Sequence, residues 1–316
     1  MLKKLKVVFM GTPEFSVNVL NKLIENTNVI GVVTQPDKIV GKSNEKSFTP
    51  IKKIAIENNI KVFQPEKIRK EYEEILSLNP DIIITCAYGQ IIPSVILDYP
   101  KYGCINVHAS LLPYLRGGAP IHHAIIDGYD KTGITIMYMD KGMDTGDIIS
   151  QEEIPILESD CVGTIHDKLS ILGSELLIKT LPSIIDGTNE RIKQDENLVT
   201  YGYNIKREEE IIDFNKKCRD IFNQIRGLNP FPGAYLILDG KTIKVYESSY
   251  LETDKYQNKP NGEIVVVSKN QLGIKCQNGI IYLQDIKKEG KKRMKINDYL
   301  NGEKDNLLGI LVNNNE

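Results

Sequence analysis

A doubly wound, mostly parallel, Rossmann-like α/β sheet followed by a small OB-like β-barrel is the fold this sequence predicts, on three observations. Short apolar segments alternate with helical patterns through the first half of the chain, the rhythm of β-α-β units. The periodicity then fails between residues 187 and 205, where Asn, Gln, Asp and Thr are prominent. After a short helical region, roughly five alternating segments follow at close spacing, as in small barrels that bind nucleic acid or sugars. The expected organisation is a first domain over residues 1–187, a linker over 188–205 and a second domain over 206–316.

Residues 5–10 form an apolar strand, and Gly11, Thr12, Pro13 and Glu14 then supply a turn, a capping hydroxyl, a first-turn proline and a first-turn acid. A helix should run to about residue 25, and a second strand over 29–34 completes the unit. Helical patterns at 51–58 and 66–78 alternate with strands expected at 61–63, 81–86, 103–108 and 133–139. Residues 162–186 set Ile165, Leu169, Leu172, Leu176 and Leu177 on one side of a long packing helix. Beyond the linker, Ile211, Ile212 and Phe214 open a helical region reaching residue 226, and a Gly- and Pro-rich turn at 227–233 leads into strands at 234–238, 243–246, 262–267, 272–276 and 280–286.

A sheet of this kind carries its site at the carboxyl ends of its strands. In strand 103–108, Ile105 and Val107 alternate with Asn106 and His108, so the amide and the imidazole project side by side. They read either as two satisfied polar residues at a sheet edge or as the wall of a pocket. A corner at Ser110, Leu111, Leu112 and Pro113 and a turn at Arg116, Gly117 and Gly118 follow. Downstream, Asp140, Asp144 and Asp147 crowd one glycine-hinged loop. Their spacing does not match a calcium loop, so no metal is expected, and a loop aspartate facing the imidazole is the more economical use. Asp144, between Gly142 and Gly146, is best placed for it, with Asp140 and Asp147 as turn caps. Cys104 shares the face of Asn106 and is expected to be packing.

Composition narrows the rest. With 41% hydrophobic and 26% charged residues the chain is an ordinary globular one, and no apolar run approaches the roughly 20 residues of a membrane span. The five cysteines, odd in number and scattered, signal neither a disulfide framework nor a metal clip, and a cytoplasmic location and a monomer are expected. The first strand-to-helix turn has one glycine and an acid, which disfavours a dinucleotide. Gly41, Lys42 and Ser43 mimic the end of a nucleotide-triphosphate loop, but Pro36 stands where that motif requires glycine. The stretch 35–49 reads as a long mobile loop at the rim of a site. From residue 206 onward there are 19 basic against 16 acidic side chains, about +3, leaving about −5 of the net −2 for the rest. That mild basicity, densest at Lys287, Lys288, Lys291, Lys292, Arg293 and Lys295, suits phosphate contact or a solvated hairpin.

The motifs G-T-P-E-F, T-Q-P-D, A-Y-G-Q-I-I-P, N-V-H-A-S-L-L-P, R-G-G-A-P-I, D-x-G-M-D-T-G and R-G-L-N-P-F-P-G-A-Y, in that order and spanning nearly the whole chain, resemble the 10-formyltetrahydrofolate-dependent formyltransferase family. The first and last of them are similar to its branch that acts on initiator methionyl-tRNA. The resemblance implies formyl transfer from 10-formyltetrahydrofolate to the α-amino group of esterified methionine, through a tetrahedral oxyanion. It implies catalytic roles for Asn106, His108 and Asp144, and a folate pocket at Ser110, Leu111, Leu112 and Pro113 with Tyr88, Gly89, Gln90, Ile91 and Ile92 close by. It implies tRNA contacts from Lys38, Lys42 and Lys46 in the rim loop and from Lys287, Lys288, Lys291, Lys292 and Arg293 in the barrel. The loop departs from the family's arginine-rich pattern: lysine keeps the charge and loses the bidentate fork, and Glu45 adds repulsion toward phosphate. Rival readings are a formyltransferase for a sugar nucleotide or other small amine, a non-catalytic RNA-binding relative and, more distantly, a nicotinamide dehydrogenase. The basic second domain and the rim loop, which a small acceptor does not require, weigh against the first.

Overall fold

The protein is described from a computed structural model covering residues 2–40, 45–303 and 306–313. It divides into two compact units. The described residues of Met1–Pro120, Lys131–Pro155 and His166–Tyr203 form one, and those of Ile121–Asp130, Ile156–Ile165 and Asn204–Glu316 the other. The helices are α1 (Val17–Asn26), α2 (Pro50–Glu57), α3 (Glu73–Leu76), α4 (Ser94–Leu97), α5 (Pro120–Ile126), α6 (Val162–Asp186), α7 (Cys218–Gly227) and α8 (Ile296–Gly302). None of the described helices is long and apolar enough to cross a membrane.

The first unit contains strands β1 (Lys6–Gly11), β2 (Asn28–Val33), β3 (Lys38–Val40), β4 (Glu45–Ser47), β5 (Val62–Phe63), β6 (Ile82–Cys86), β7 (Cys104–His108), β8 (Lys131–Tyr138) and β9 (Ile148–Pro155). Seven of them make one sheet in the order β5-β2-β1-β6-β7-β8-β9. The members from β5 to β7 run parallel, while β8 and β9 pair antiparallel at one edge. The continuous apolar runs of β1 and β6 suit the middle of such a sheet, where both faces are covered. Chain order reverses between β1 and β6, so the carboxyl ends of these two strands flank a topological switch point.

Three local expectations change. Residues 66–78 supply a helix only at α3; ahead of it the Ile68 amide donates to the Gln90 side chain at 2.9 Å and the Lys67 amide to Glu71 at 2.9 Å. Strand β9, S-Q-E-E in its middle and half exposed, has no period-2 signal and forms because β8 offers it a partner. The 35–49 stretch, read as a loop, contains the ribbon β3–β4, with Lys38 opposite Ser47 and Val40 opposite Glu45.

In the second unit, β10 (Ala234–Leu238), β11 (Lys241–Glu252), β12 (Ile264–Val267), β13 (Leu272–Cys276), β14 (Gly279–Lys288) and β15 (Met294–Lys295) form an antiparallel sheet ordered β10-β11-β14-β13-β12, with β15 on β14. The chain's last described residues lace its two ends together: the Ile264 amide donates to the Ile310 carbonyl, and the Asn313 amide to the Ile237 carbonyl. One face of α7 enters the apolar core this encloses, with Ile221 and Ile225 against Leu236, Val245 and Ile281. Ile211 and Ile212, expected in a helix, instead join β10, the Ile212 amide donating to the Tyr235 carbonyl.

The basic run is partly spent inside this unit. Arg293 Nε donates to Asp285 at 2.7 Å, its guanidinium covers the Tyr246 ring, and Lys295 Nζ lies 3.0 Å from Asp285. Lys288 faces Glu303 at 3.4 Å, whereas Lys287, Lys291 and Lys292 are exposed. Burial alone would raise the Asp285 carboxyl, but hydrogen bonds from Arg293 and Lys295 carry it below the usual carboxylate range. A folded-state value depressed below the unfolded one contributes stability that is present above about pH 4 and lost as pH falls through the folded value. Asp285→Asn is therefore expected to lower the denaturant midpoint near neutral pH and to shrink the decline seen on acidification. Superimposable pH profiles for the two chains would remove Asp285 as a source of that decline.

Candidate active site

Three of the sequence motifs meet at the switch point. Thr12, just past β1, donates its hydroxyl to the Tyr88 carbonyl at 3.0 Å, and Gln35, just past β2, donates its side-chain amide to the same carbonyl at 3.1 Å. Beyond β6 the segment from Tyr88 to Ile92 sorts its side chains in two directions. Tyr88 and Ile92 enter the core. Burial, and then Glu71, hold the Tyr88 phenol well above its ordinary range. Gln90 turns back to the Ile68 amide and the Pro65 carbonyl. Ile91 is 90% exposed beside Gly89, whose φ is +90°. Lys38 is exposed on β3, while Lys42 and the side chain of Lys46 lie outside the described residues.

Strand β7 carries the polar pair next to this point. Asn106 is half buried, and its Oδ1 accepts from the Thr85 hydroxyl on β6 at 2.9 Å. His108 is 6% exposed, with Nε2 lying 3.1 Å from the Leu115 carbonyl. A carbonyl only accepts, so Nε2 carries the proton of that bond and Nδ1 is left for chemistry. Facing Nδ1, at 3.7 Å, is Asp144 Oδ1. Cys104 is buried with its thiol toward the Ile96 carbonyl, and burial, then Asp98, push it up to about 12, which makes it packing rather than a nucleophile.

The corner after β7 serves His108. Ser110 donates to the Tyr114 carbonyl at 2.6 Å, and Thr135 on β8 donates to the Ser110 carbonyl at 2.6 Å while accepting from the Leu112 amide. Leu112 packs against Met137 and Ile148. The side chains of Ser110 and Leu112 are thus used within the corner, leaving the backbone and the half-buried Leu111 and Pro113 for a ligand. What the corner delivers is the Leu115 carbonyl, aimed at Nε2 from a residue with φ of +57°.

The three loop carboxylates have three separate uses. Asp140 accepts from Gly142 N and the Thr145 hydroxyl and so shapes its own loop. Asp147 receives Arg191 at 2.9 Å. Asp144 alone reaches the imidazole, in a left-handed conformation (φ +56°), with its Oδ2 accepting from the Gly117 amide at 2.9 Å. Its glycine neighbours act by close approach rather than as hinges. A Cβ at Gly146 would stand 1.8 Å from the Tyr138 carbonyl oxygen, and one at Gly142 would stand 2.0 Å from Thr145 Oγ1.

Sequence reasoning missed the residue that ties the two loops together. Gln194 donates to the carbonyls of Asp144 at 2.8 Å and Gly146 at 2.9 Å, and its Oε1 accepts from Arg116 Nε at 3.0 Å. The buried Arg116 guanidinium also makes a forked pair with Glu196, which raises its already high value. Gln194 lies in an aperiodic stretch and leaves no local signal, whereas Thr85, the one polar residue in I-I-I-T-C, could have been singled out. Gln194→Ala is expected to lower kcat/KM of the site's reaction about tenfold with little loss of fold, since small misplacements of a catalytic group are costly. An unchanged kcat/KM would show that Asp144 does not depend on it.

Residues 3–181 match the model of the family described as formyl transferase, and residues 204–304 match formyl transferase, C-terminal domain. A methionyl-tRNA formyltransferase of Staphylococcus aureus (strain MW2) is 50% identical over 306 residues, covering 96% of this chain and 98% of that protein. Among solved structures, an N-formyltransferase from Helicobacter canadensis, in complex with folinic acid and dTDP-3-aminofucose, superposes with a TM-score of 0.64 at 22% identity, over 90% of this chain and 99% of that one. A sugar 3N-formyl transferase crystallised in the presence of dTDP and 5-N-formyl-THF gives 0.66 at 21% identity, over 91% of this chain and 99% of that one. At such identities the two structures speak for the fold alone.

Proposed function

The chain belongs to the formyl transferase family, and from that we propose that it transfers the formyl group of 10-formyltetrahydrofolate to the α-amino group of methionine esterified to initiator tRNA. The observation that carries the chemistry is the meeting of Asn106, His108 and Asp144 beside the switch point, each held by a second group. The acceptor is supported by identity to the Staphylococcus aureus enzyme that extends through both units.

The donor supplies an N-formyl carbonyl. Asn106, its Oδ1 held by Thr85, has its amide hydrogens left to donate to the formyl oxygen as charge builds there. His108 has Nε2 engaged by Leu115, so Nδ1 takes the proton of the attacking amine, directly or through a water, and later gives a proton to the departing nitrogen. Asp144 sets a negative charge beside the ring while it is protonated. The amine is already a nucleophile, and no covalent enzyme intermediate is needed. The segment from Tyr88 to Ile92, with its exposed Ile91 face and backbone edges, and the corner from Ser110 to Pro113 fit a flat pterin with polar rims. Lys38, Lys287, Lys291 and Lys292 are the exposed cations best suited to tRNA phosphates, with Arg293 and Lys288 already committed within their own unit.

Incubation with 10-formyltetrahydrofolate and methionyl initiator tRNA should yield formyl-methionyl-tRNA, while free methionine and a dTDP-amino sugar should stay unmodified. Formylation of the sugar in preference to the tRNA would overturn the acceptor assignment.

A further inference from the structure

Tyr201 and Tyr203 are 45% and 57% exposed, and their rings lie parallel, 2° apart in plane angle with centroids 5.2 Å apart. Exposed apolar rings normally turn to cover something; these two stack on each other at the surface. Their position is fixed by the residue between them. The Gly202 amide donates to the Arg116 carbonyl at 2.8 Å, the Ala119 amide donates to the Gly202 carbonyl at 2.8 Å, and the Arg116 amide donates to the Thr200 carbonyl at 2.9 Å. Gly117, φ +120°, packs so close to Gly202 that a Cβ would stand 2.9 Å from its carbonyl oxygen. The amide of that same Gly117 holds the Asp144 carboxylate. Residues two apart in extended chain share a side, so both rings emerge together from an extended segment bridged at Tyr201 to Arg116, in the loop that positions Asp144.

We propose that Tyr201 and Tyr203 form a stacking platform that seats an unpaired nucleobase at the aminoacylated end of the RNA acceptor, beside the formyl-transfer site. The inference rests on the reading given under Proposed function. The reacting amine is carried on an ester to the terminal ribose, so the base on that ribose and its neighbour must cross the surface immediately around Asn106, His108 and Asp144. Paired aromatic faces accept any base, because every base offers a π-face, and they suit a single strand better than a duplex. The stack also presents the platform pre-formed, so little side-chain freedom is lost on binding.

The competing occupant of such a surface is a ring of the folate co-substrate, and the test separates the two. Tyr201→Ala, Tyr203→Ala and the double variant are compared with Tyr→Phe at each position, measuring KM separately for methionyl-tRNA and for 10-formyltetrahydrofolate. The Tyr201 hydroxyl also bonds Arg116, so the deciding position is Tyr203: Tyr203→Ala is expected to raise the KM for methionyl-tRNA about tenfold, with kcat and the donor KM little changed and near-complete recovery in Tyr203→Phe. The chain contains no tryptophan, so Tyr203→Trp adds a single indole whose fluorescence should be quenched by a short single-stranded RNA bearing the acceptor end. A rise in the donor KM instead, an unchanged KM for methionyl-tRNA, failure of phenylalanine to restore it, or no quenching would each overturn the platform. If the unaltered chain did not formylate methionyl-tRNA at all, it is the functional reading that would fall.

Discussion

Single-turnover formylation is expected to fall by roughly 100-fold or more in each of Asn106→Ala, His108→Ala and Asp144→Asn, the scale on which loss of one preorganised donor is felt. The three losses have different origins. Without Asn106 the charge building on the formyl oxygen loses a donor already aimed by Thr85. Without His108 there is no group to carry the amine's proton, and Leu115 is left with a carbonyl whose imidazole partner is gone. Asp144→Asn keeps the shape of the loop but removes the charge facing Nδ1, and its amide must still satisfy the Gly117 N–H. Because the three act on one transition state, the double variant His108→Ala with Asp144→Asn should be little slower than His108→Ala alone. Near-normal rates in all three single variants, with thermal unfolding unchanged, would sink the assignment.

Gly146→Ala should be almost as damaging, although Gly146 has no side chain to act on a substrate. Its missing side chain makes room for the Tyr138 carbonyl, which a Cβ would meet at 1.8 Å, and backbone cannot swing aside as a flexible side chain can. The Tyr138 amide donates to Asp147 and the Gly146 carbonyl accepts from Gln194, so the displaced loop must also break at least one of these bonds. Asp144 lies two residues away, and a shift of about 1 Å at a catalytic group can cost about 100-fold in rate. The measurement is kcat/KM beside a melting curve. Gly302→Ala, where a Cβ meets nothing within 4 Å, is the control expected to change neither. A Gly146→Ala enzyme with full activity would show that the loop tolerates displacement and that Asp144 is not geometrically demanding.

Much of the scaffold was legible because its signal is local. The long helix expected at 162–186 is α6 to the residue, and the strand expected at 103–108 is β7 with one residue fewer. Both are written in the spacing of their own apolar side chains. Where reading failed, a distant group had intervened. The pattern at 66–78 is helical in spacing, yet only Glu73–Leu76 is helix, and Ile68 is tied by its amide to Gln90, 22 residues away. Ile211 and Ile212 look like the start of a helix, and β10 recruits them as strand.

The same division runs through the site. By itself the sequence determined that Asn106 and His108 share one face of a strand and that a kinked corner and a glycine-rich loop carrying Asp144 follow, since each of these is a matter of period or of turn chemistry within a few residues. Only the tertiary structure decided which imidazole nitrogen is left for chemistry, that Ser110 and Leu112 support the corner from within, that Gly146 is required for close approach, and that Gln194 couples the loop of Asp144 to Arg116. Those are contacts between segments remote in the chain, made by single hydrogen bonds whose partners no local periodicity encodes. They exist because the strand order of the sheet brings the carboxyl ends of β6 and β7 together and β8 alongside, and the chain must then satisfy whatever polar groups it finds there.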